Sequence, residues 1–208
     1  MIHKDEKRKF ILKELMVEDF AEWEKEIIQL EEKEDTGKSL LNMKLKSELN
    51  LCIKNVDKKH TELYFFQTNK QKSMFKRVDH IVFEYLENDK WRVHLIEMKS
   101  SISDEKWSEI KGKFRASYLL VQGLAAMLEM PVEEICMYTT YEKALFSLSD
   151  TMPSARRPMV GGKYVKPEDE WNSNEVGLNF GIIPYFTHKP IQMKRNENNI
   201  LVGECICS

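Results

Sequence analysis

The chain has 208 residues, of which 42% are hydrophobic, 10% aromatic and 32% charged. This composition excludes intrinsic disorder, and the length fits one domain with a substantial core. The sequence has no run of about 18 apolar residues and no N-terminal secretory signal, so we expect a cytoplasmic protein without membrane contact. Its four cysteines are then expected to be reduced. With a net charge of −2, the chain also lacks the excess of basic residues that is typical of nucleic-acid-binding proteins.

Charge is distributed unevenly along the chain. Residues 1–35 contain 7 Lys/Arg and 12 Asp/Glu, a net charge of −5, whereas residues 38–77 contain 10 Lys/Arg and 3 Asp/Glu, a net charge of +7. A basic segment of this kind is either a solvated surface or a contact surface for a polyanion. The near-neutral total therefore does not exclude a local phosphate-binding site.

The N-terminal third is predicted to be helical. Apolar residues recur every three or four positions, which predicts an amphipathic helix over residues 1–36 that ends near Gly37. They are Leu12, Met16, Phe20, Trp23, Ile27 and Leu30. A second helix is predicted from Ser39, a candidate N-cap, to Lys54. On that helix Glu48 would share the core-directed face of Leu41, Leu45 and Cys52.

Strands are expected from residue 61 onward. The segments TELYFFQT, RVDHIVFEY and WRVHLIEMK are apolar-rich, and the polar turn at residues 87–90 predicts a hairpin between the last two. A helix is predicted over 104–129, ending before Pro131, followed by a buried strand at 135–141. The Pro-, Gly- and Asn-rich remainder predicts loops and short strands without a helix. We therefore divide the chain into an N-terminal helix (1–36), a core (37–150) and a C-terminal extension of the same domain (151–208).

Charged residues interrupt two of these apolar strands. Alternation places Asp79 on one strand face, and Glu97 and Lys99 on one face of the next strand, about 6–7 Å apart. The hairpin would bring Asp79 beside Glu97, where a divalent cation could keep both carboxylates ionised. Hard oxygen ligands favour Mg²⁺ or Mn²⁺, and the backbone carbonyl of Met98 is a further candidate ligand. Lys99 could then neutralise charge on a phosphate. The alternative is a Glu97–Lys99 ion pair at a sheet edge, which stabilises little.

Asp79 followed by Glu97-Met98-Lys99, ahead of an amphipathic helix, resembles the PD-(D/E)xK nuclease superfamily, with Val78 at the position of the signature proline. The resemblance covers about half of the chain. It implies a restriction-endonuclease-like α/β fold, in which a mixed sheet is flanked by helices in the order α-β-β-β-α-β over residues 39–141. It also implies phosphodiester hydrolysis with one or two Mg²⁺ or Mn²⁺ ions.

By this resemblance, Asp79, Glu97 and Lys99 are catalytic, and Glu48 joins Asp79 and Glu97 as a metal ligand. Family members often contribute a further Lys or Gln from the next helix, and spacing leaves the choice open. The candidates for that accessory role are Lys111, Lys113 and Gln122. Basic residues expected to contact phosphates, if they are not simply solvated, are Lys72, Lys76, Arg77, Arg115, Arg156 and Arg157.

The resulting hypothesis is a metal-dependent endo- or exonuclease that acts on DNA, or alternatively on RNA. A homodimer could form through the N-terminal helix. Two alternatives are kept. One is a catalytically inactive module of the same fold that binds nucleic acid or protein. The other is a partner-binding protein of a phage or mobile element that acts through the N-terminal helix.

Overall fold

The computed structural model describes residues 4–15, 21–34, 37–54, 56, 73–147, 159–160 and 163–207. Its helices are α1 (Lys4–Phe10), α2 (Asp104–Leu128) and α3 (Pro167–Asn172), with a π-helical turn at Ile11–Leu15 and a 3-10 turn at Glu87–Asp89. Its strands are β1 (Ala21–Glu24), β2 (Ile27–Glu34), β3 (Gly37–Lys44), β4 (Asn50–Ile53), β5 (His80–Tyr85), β6 (Trp91–Met98), β7 (Ser101–Ile102), β8 (Val132–Tyr141), β9 (Lys143–Ala144), β10 (Met159–Val160), β11 (Lys163–Tyr164), β12 (Glu175–Gly177), β13 (Tyr185–Gln192), β14 (Lys194–Arg195) and β15 (Leu201–Ile206).

Two sheets organise the part of the chain that is described. The larger has seven strands in the order β1-β4-β5-β6-β8-β13-β12, and the second has four in the order β14-β15-β3-β2. In the larger sheet β4, β5 and β6 are antiparallel neighbours, and β8 runs parallel to β6. Helix α2 is the crossover between β6 and β8. The prediction of a mixed α/β fold is confirmed.

The larger sheet is covered on both faces. One face packs on α2 through an apolar cluster that includes Ile81, Phe83, Leu95 and Phe114. The opposite face packs on the second sheet through another cluster, which includes Val82, Ile96, Leu41, Met43 and Leu201. Each fully buried side chain of this size contributes roughly 1.5–3 kcal/mol through removal from water. Strand alternation places the side chains of the catalytic candidates Asp79 and Glu97 on this first face, the one that packs on α2.

Helix α2 follows the sequence prediction closely, and its ends explain its length. The Ser103 side chain caps it by accepting a hydrogen bond from the backbone N–H of Lys106. Glu129 ends it in the left-handed conformation, with φ of 52°, two residues before Pro131. The predicted hairpin of β5 and β6 and the predicted strand β8 are confirmed as well.

Among the described residues, the helix predicted over residues 1–36 is helical only at 4–15, and it is wrong from Ala21 onward; the second predicted helix is wrong. The chain forms β1 and β2 inside the predicted 1–36 helix, and β3 and β4 where the second helix was predicted. Ile28 and Leu30 are buried while Ile27 and Gln29 are exposed, which is the two-residue period of a strand. A short apolar run fits the period of a helix as well as that of a strand. The strand forms here because β3 pairs with β15, which comes from the far end of the chain.

The C-terminal segment also differs from its prediction. It contains the short helix α3, which the sequence did not indicate. The strands predicted for this segment are present, and they add β13 and β12 to the larger sheet and β14 and β15 to the second sheet. The predicted strand at residues 61–68 lies outside the described residues. No helix in the described ranges is long and apolar enough to cross a membrane.

Helix α1 is the α-helical part of the predicted N-terminal helix, and it packs against the β5–β6 turn and the end of α2. The side chains of Lys4 and Arg8 pair with Asp89 in the β5–β6 turn. Arg8 also donates to the carbonyl oxygen of Leu128 at 2.8 Å, and Lys7 pairs with Glu129 at 2.5 Å. These contacts dock α1 beside the C-terminal end of α2. The homodimer that was expected through this segment remains a prediction.

Candidate active site

Asp79 lies immediately before β5 and is almost completely buried, with 2% of its surface exposed. Its Oδ2 atom accepts a hydrogen bond of 2.6 Å from the backbone N–H of Met98. The preceding residue, Val78, donates its N–H to the Ser117 hydroxyl of α2 at 2.9 Å. The start of β5 is therefore held between β6 and α2, so the carboxylate has a defined position.

Glu97 lies on β6 and is fully buried. His80 is opposite Ile96 in the antiparallel pair, so one further step along each strand brings Asp79 beside Glu97. The two carboxylates thus share the sheet face that packs on α2, as the alternation pattern predicted. The Oε2 atom of Glu97 has no hydrogen-bond partner among the described residues.

Two lysines approach the carboxylate pair. Lys99 Nζ lies 3.0 Å from Glu97 Oε1, and Lys113 Nζ lies 2.7 Å from the same oxygen. Lys113 Nζ is also 3.6 Å from Asp79 Oδ1. The two lysine side chains retain 23% and 18% exposure, so the site opens to solvent on their side. The site therefore combines two buried carboxylates with two partly exposed ammonium groups.

The electrostatics of the site reflect burial and crowding of like charges. Burial, followed by repulsion from Asp79, raises the pKa of Glu97 to about 7, although both lysines oppose the rise. Burial alone would lower the pKa of Lys113, but the nearby Glu97 and Asp79 carboxylates outweigh it and raise that pKa. Glu97 is consequently the group in this site whose charge changes near neutral pH.

The polar row continues across the sheet beyond the residues that the sequence singled out. Thr139 of β8 is in register with Glu97 and is completely buried. Its hydroxyl lies 3.0 Å from Nε2 of His188 on β13. The His188 ring packs against Trp107 and Trp171, and burial lowers its pKa to about 3. His188 lies in the C-terminal segment for which the sequence predicted loops and short strands; the signal that could have found this row is the polar pair Thr139-Thr140 inside an apolar strand.

Glu48, the third predicted metal ligand, lies away from this pair. It is an exposed residue between β3 and β4, not a core-facing helical residue. Its neighbour Leu49 accepts a hydrogen bond from the N–H of Tyr85, at the end of β5 opposite to Asp79. Six residues of strand separate those two ends, which corresponds to roughly 20 Å. The helical prediction placed Glu48 wrongly because the segment forms strands.

The three accessory candidates on α2 have different surroundings, and one of them contacts the carboxylate pair. Lys113 reaches the carboxylate pair, whereas Lys111 binds both carboxylate oxygens of Glu170 at 2.7 Å. Gln122 is exposed and lies nine residues further along the helix, about 13 Å from Lys113 along the axis. Glu170, on α3, also accepts from the Trp107 ring N–H at 2.9 Å. Lys111 is therefore part of a structural ion pair between two helices.

Three of the six residues predicted to contact phosphates lie among the described residues. Lys76 is exposed and Arg115 is half-buried. Arg77 is buried, and its Nε donates to the backbone oxygen of Val56 at 2.7 Å, so its guanidinium supports the chain around residue 56. Lys72, Arg156 and Arg157 lie outside the described residues.

A second buried polar cluster lies on the opposite face of the same hairpin. His94 Nε2 is 3.0 Å from Glu84 Oε2, and His94 Nδ1 is 3.1 Å from the Tyr138 hydroxyl. Glu84 also accepts from the backbone N–H groups of Lys46 and Ser47. Tyr138 in turn contacts Cys207 near the C-terminus. This cluster joins the larger sheet to the second sheet and is separate from the Asp79–Glu97 site.

The donor set at Asp79 and Glu97 is compatible with a hard divalent cation. Carboxylate oxygens are the preferred ligands of Mg²⁺, which commonly uses one or two carboxylates and completes its coordination with water and phosphate oxygens. The unpartnered, buried Oε2 of Glu97 provides a free lone-pair site. Within the described ranges no group of three or more His, Cys, Asp or Glu side chains could hold a metal. Asp79 and Glu97 would supply two carboxylates, and the predicted Met98 carbonyl, solvent or substrate would supply the remaining ligands.

Comparisons with protein-family models, curated proteins and solved structures found no match to this chain. No relative therefore supplies a function, and what the chain does has to be inferred from its own residues.

Proposed function

We propose that this protein is a metal-dependent nuclease of the PD-(D/E)xK type that hydrolyses phosphodiester bonds in DNA, with RNA as the alternative substrate. The observation that carries the proposal is the buried Asp79–Glu97 pair with Lys99 at its solvent-facing side. Burial of two adjacent carboxylates is costly unless a cation offsets their repulsion. Such a costly arrangement is typical of a functional site rather than of a stabilising one.

The strand order supports the same proposal. Strands β4, β5 and β6 form an antiparallel run, α2 crosses over, and β8 pairs in parallel with β6. This order is the one expected for the β-β-β-α-β part of a restriction-endonuclease-like core, with β4 as its first strand in place of the predicted strand at residues 61–68, which lies outside the described residues. The first helix of that core has no counterpart at residues 39–54, where β3 and β4 lie. The active-site geometry is consequently the stronger support for the proposed fold family, because it depends only on β5, β6 and α2.

Each side chain has a definite task in the proposed reaction. Asp79, oriented by the Met98 N–H, and Glu97 would hold Mg²⁺ or Mn²⁺, and the Met98 carbonyl remains a predicted further ligand. A bound divalent cation would polarise the phosphate and lower the pKa of a coordinated water. Lys99, with its ammonium 3.0 Å from Glu97 Oε1 and partly exposed, would stabilise the negative charge that develops on the phosphate.

The test is cleavage by the purified full chain, with Mn²⁺, Mg²⁺ or EDTA. Substrates are closed-circular and linear duplex DNA, single-stranded DNA and RNA, so that one experiment identifies the substrate and distinguishes endonuclease from exonuclease. We expect metal-dependent cleavage that falls at least about 100-fold in Asp79→Asn and in Lys99→Gln. Lys106→Gln is the matched control, because Lys106 is exposed on α2. Cleavage that survives in both active-site variants would contradict the proposal.

A second candidate is a binding module with an inactive site, and one observation favours it. Two ammonium groups already balance the two carboxylates, so the site is electrically neutral without a metal. For this candidate we expect nucleic-acid or protein binding that is unchanged by EDTA and by Asp79→Asn, without cleavage of any substrate. Fluorescence anisotropy with labelled DNA and RNA, run beside the cleavage assay, separates the two functions.

A further inference from the structure

Lys113 occupies the space between the two carboxylates. Its Nζ is 2.7 Å from Glu97 Oε1 and 3.6 Å from Asp79 Oδ1, so one ammonium contacts both acids. Lys99 Nζ also contacts Glu97 Oε1, at 3.0 Å, from the end of β6. The position of Lys113 is therefore the one that a cation shared by Asp79 and Glu97 would take.

The placement is specific to this lysine among its neighbours on α2. Lys106 donates to the Ser101 hydroxyl, and Lys111 pairs with Glu170 on α3. Lys113 alone of these three reaches the β5–β6 hairpin. Its ion pairs differ from ordinary surface ion pairs, because both acids are almost completely buried.

A divalent cation bound by both acids would compete with the Lys113 ammonium for Asp79 Oδ1, because Asp79 Oδ2 already accepts from the Met98 N–H. With both lysines in place and both acids ionised the site has a net charge of zero, so an added divalent cation would leave it at +2. Like charges in close contact repel strongly in a partly buried site, where the effective dielectric constant is well below that of water. Simultaneous occupancy is therefore strongly disfavoured, and one cation has to leave.

Lys113 is the lysine that can leave without disturbing the sheet. It projects from a helix, and its side chain is partly exposed, so rotation about its side-chain bonds moves the ammonium into solvent. Exposed Glu109 lies one helical turn earlier, at the i−4 position, where a Glu-to-Lys pair is favourable. Lys99, by contrast, follows β6 directly, and its backbone N–H donates to the Thr140 hydroxyl.

We infer that Lys113 is an internal gate for the metal: it occupies the Asp79–Glu97 pair in the metal-free protein and swings out when Mg²⁺ or Mn²⁺ binds. This inference rests on the proposed function. It assigns Lys113 a role opposite to that of Lys99, because Lys113 opposes metal binding while Lys99 acts on the substrate phosphate. The site would thus stay closed until the cation concentration is sufficient to displace the lysine.

The first experiment is calorimetric titration of the full chain with MnCl₂. We expect Lys113→Gln to bind Mn²⁺ at least about tenfold more tightly than the wild type, since it removes the competing charge. Lys106→Gln should bind as the wild type does. Asp79→Asn should abolish the binding in both the wild-type and the Lys113→Gln background.

A second experiment uses the wild-type chain and so does not depend on how well a variant folds. Amine acetylation is followed residue by residue with mass spectrometry, with and without Mg²⁺. The acetylation rate of Lys113 should rise severalfold in Mg²⁺, whereas that of Lys106 should not change.

The outcomes separate the inference from the proposed function. Mn²⁺ binding that depends on Asp79 but is not tightened by Lys113→Gln, with no rise in Lys113 acetylation, would overturn the gate and leave the metal-dependent nuclease standing. Absence of Asp79-dependent Mn²⁺ binding in both the wild type and Lys113→Gln would overturn both.

Discussion

The carboxylate of Asp79 is tied to the backbone of Met98 by a 2.6 Å hydrogen bond, which joins the start of β5 to the end of β6. Because Met98 is the direct neighbour of Glu97, this bond fixes the orientation of the Asp79 carboxylate beside Glu97, where the β5–β6 register places it. It also satisfies a buried backbone donor that would otherwise lack a partner.

Substitutions at Asp79 should separate its structural role from its charge. Asp79→Ala leaves the buried Met98 N–H without an acceptor, so we expect a loss of about 1–3 kcal/mol in the free energy of unfolding. Asp79→Asn keeps an acceptor oxygen and should cost less. Urea unfolding followed by circular dichroism measures both. Equal destabilisation by the two substitutions would show that the hydrogen bond contributes little.

Glu97 should make stability depend on pH near neutrality. Its pKa is raised from 4.5 to about 7 in the folded chain, so the folded state binds more protons than the unfolded state between these values. The free energy of unfolding should therefore fall as the pH rises through this window, by roughly 2–3 kcal/mol. Glu97→Gln removes the titrating group and should flatten that part of the curve. Urea unfolding of both proteins at about pH 5 and about pH 8 is the measurement; parallel curves would contradict the prediction.

The His94–Glu84 pair should stabilise the protein most in mildly acidic solution. Burial raises the pKa of Glu84, but hydrogen bonds from His94 and from two backbone N–H groups outweigh it and lower that pKa from 4.5 to about 2. Burial lowers the pKa of His94, but hydrogen bonding to Cys207 and Glu84 outweighs it and raises that pKa above 6.5. The contribution of Glu84 is lost as the pH falls towards 2, and that of His94 as the pH rises through its folded-state pKa.

A double-mutant cycle with Glu84→Gln and His94→Gln tests this pair. We expect a coupling energy of about 1–3 kcal/mol near pH 6 that decreases in alkaline solution. Each single variant should be strongly destabilised, because it leaves a buried charged or polar partner uncompensated. A coupling energy that does not change with pH would contradict the prediction, because it would mean that His94 does not titrate in this range.

Glu170 should be among the most sensitive structural positions. Its carboxylate accepts from the Trp107 ring, the Lys111 ammonium and the Gly177 N–H. Glu170→Ala leaves all three donors without this acceptor, so we expect a loss of about 3–5 kcal/mol in the free energy of unfolding. Asp169→Ala, on the exposed side of the same helix, should change it by less than about 0.5 kcal/mol. Tryptophan fluorescence during urea unfolding reports on both variants.

The four thiols should be protected in the folded protein. All four cysteines are free and buried, and burial raises the pKa of Cys52 and of Cys136 to about 12. We expect four reactive thiols per chain in guanidinium chloride, and reaction at least about 100-fold slower in buffer, where it requires local opening. A chromogenic disulfide reagent at mildly alkaline pH gives both rates. Rapid reaction of any thiol in buffer would locate a part of the core that opens readily.

The candidate site could be predicted from sequence where it depended on local periodicity. Asp79, Glu97 and Lys99 lie on a hairpin with a short turn, so strand alternation alone brought the two acids to one face. Lys113 could only be named as one of several candidates, because helical spacing gives a direction around the axis but not which residue lies over the hairpin. Thr139 and His188 were missed because β8 and β13 approach β6 only through long crossovers.

The sequence by itself determined the central unit of β5, β6, α2 and β8, together with the two acids on it. Each of these elements is long or has a strong hydrophobic pattern, and each contacts an element that is near it in the chain. The tertiary structure decided the rest. Residues 27–34 and 37–44 are strands rather than helices because β2 pairs with β3 and β3 pairs with β15, whose backbone donors and acceptors come from the far end of the chain. That single long-range pairing also removes Glu48 from the site, leaving two carboxylates and two lysines as its charged core.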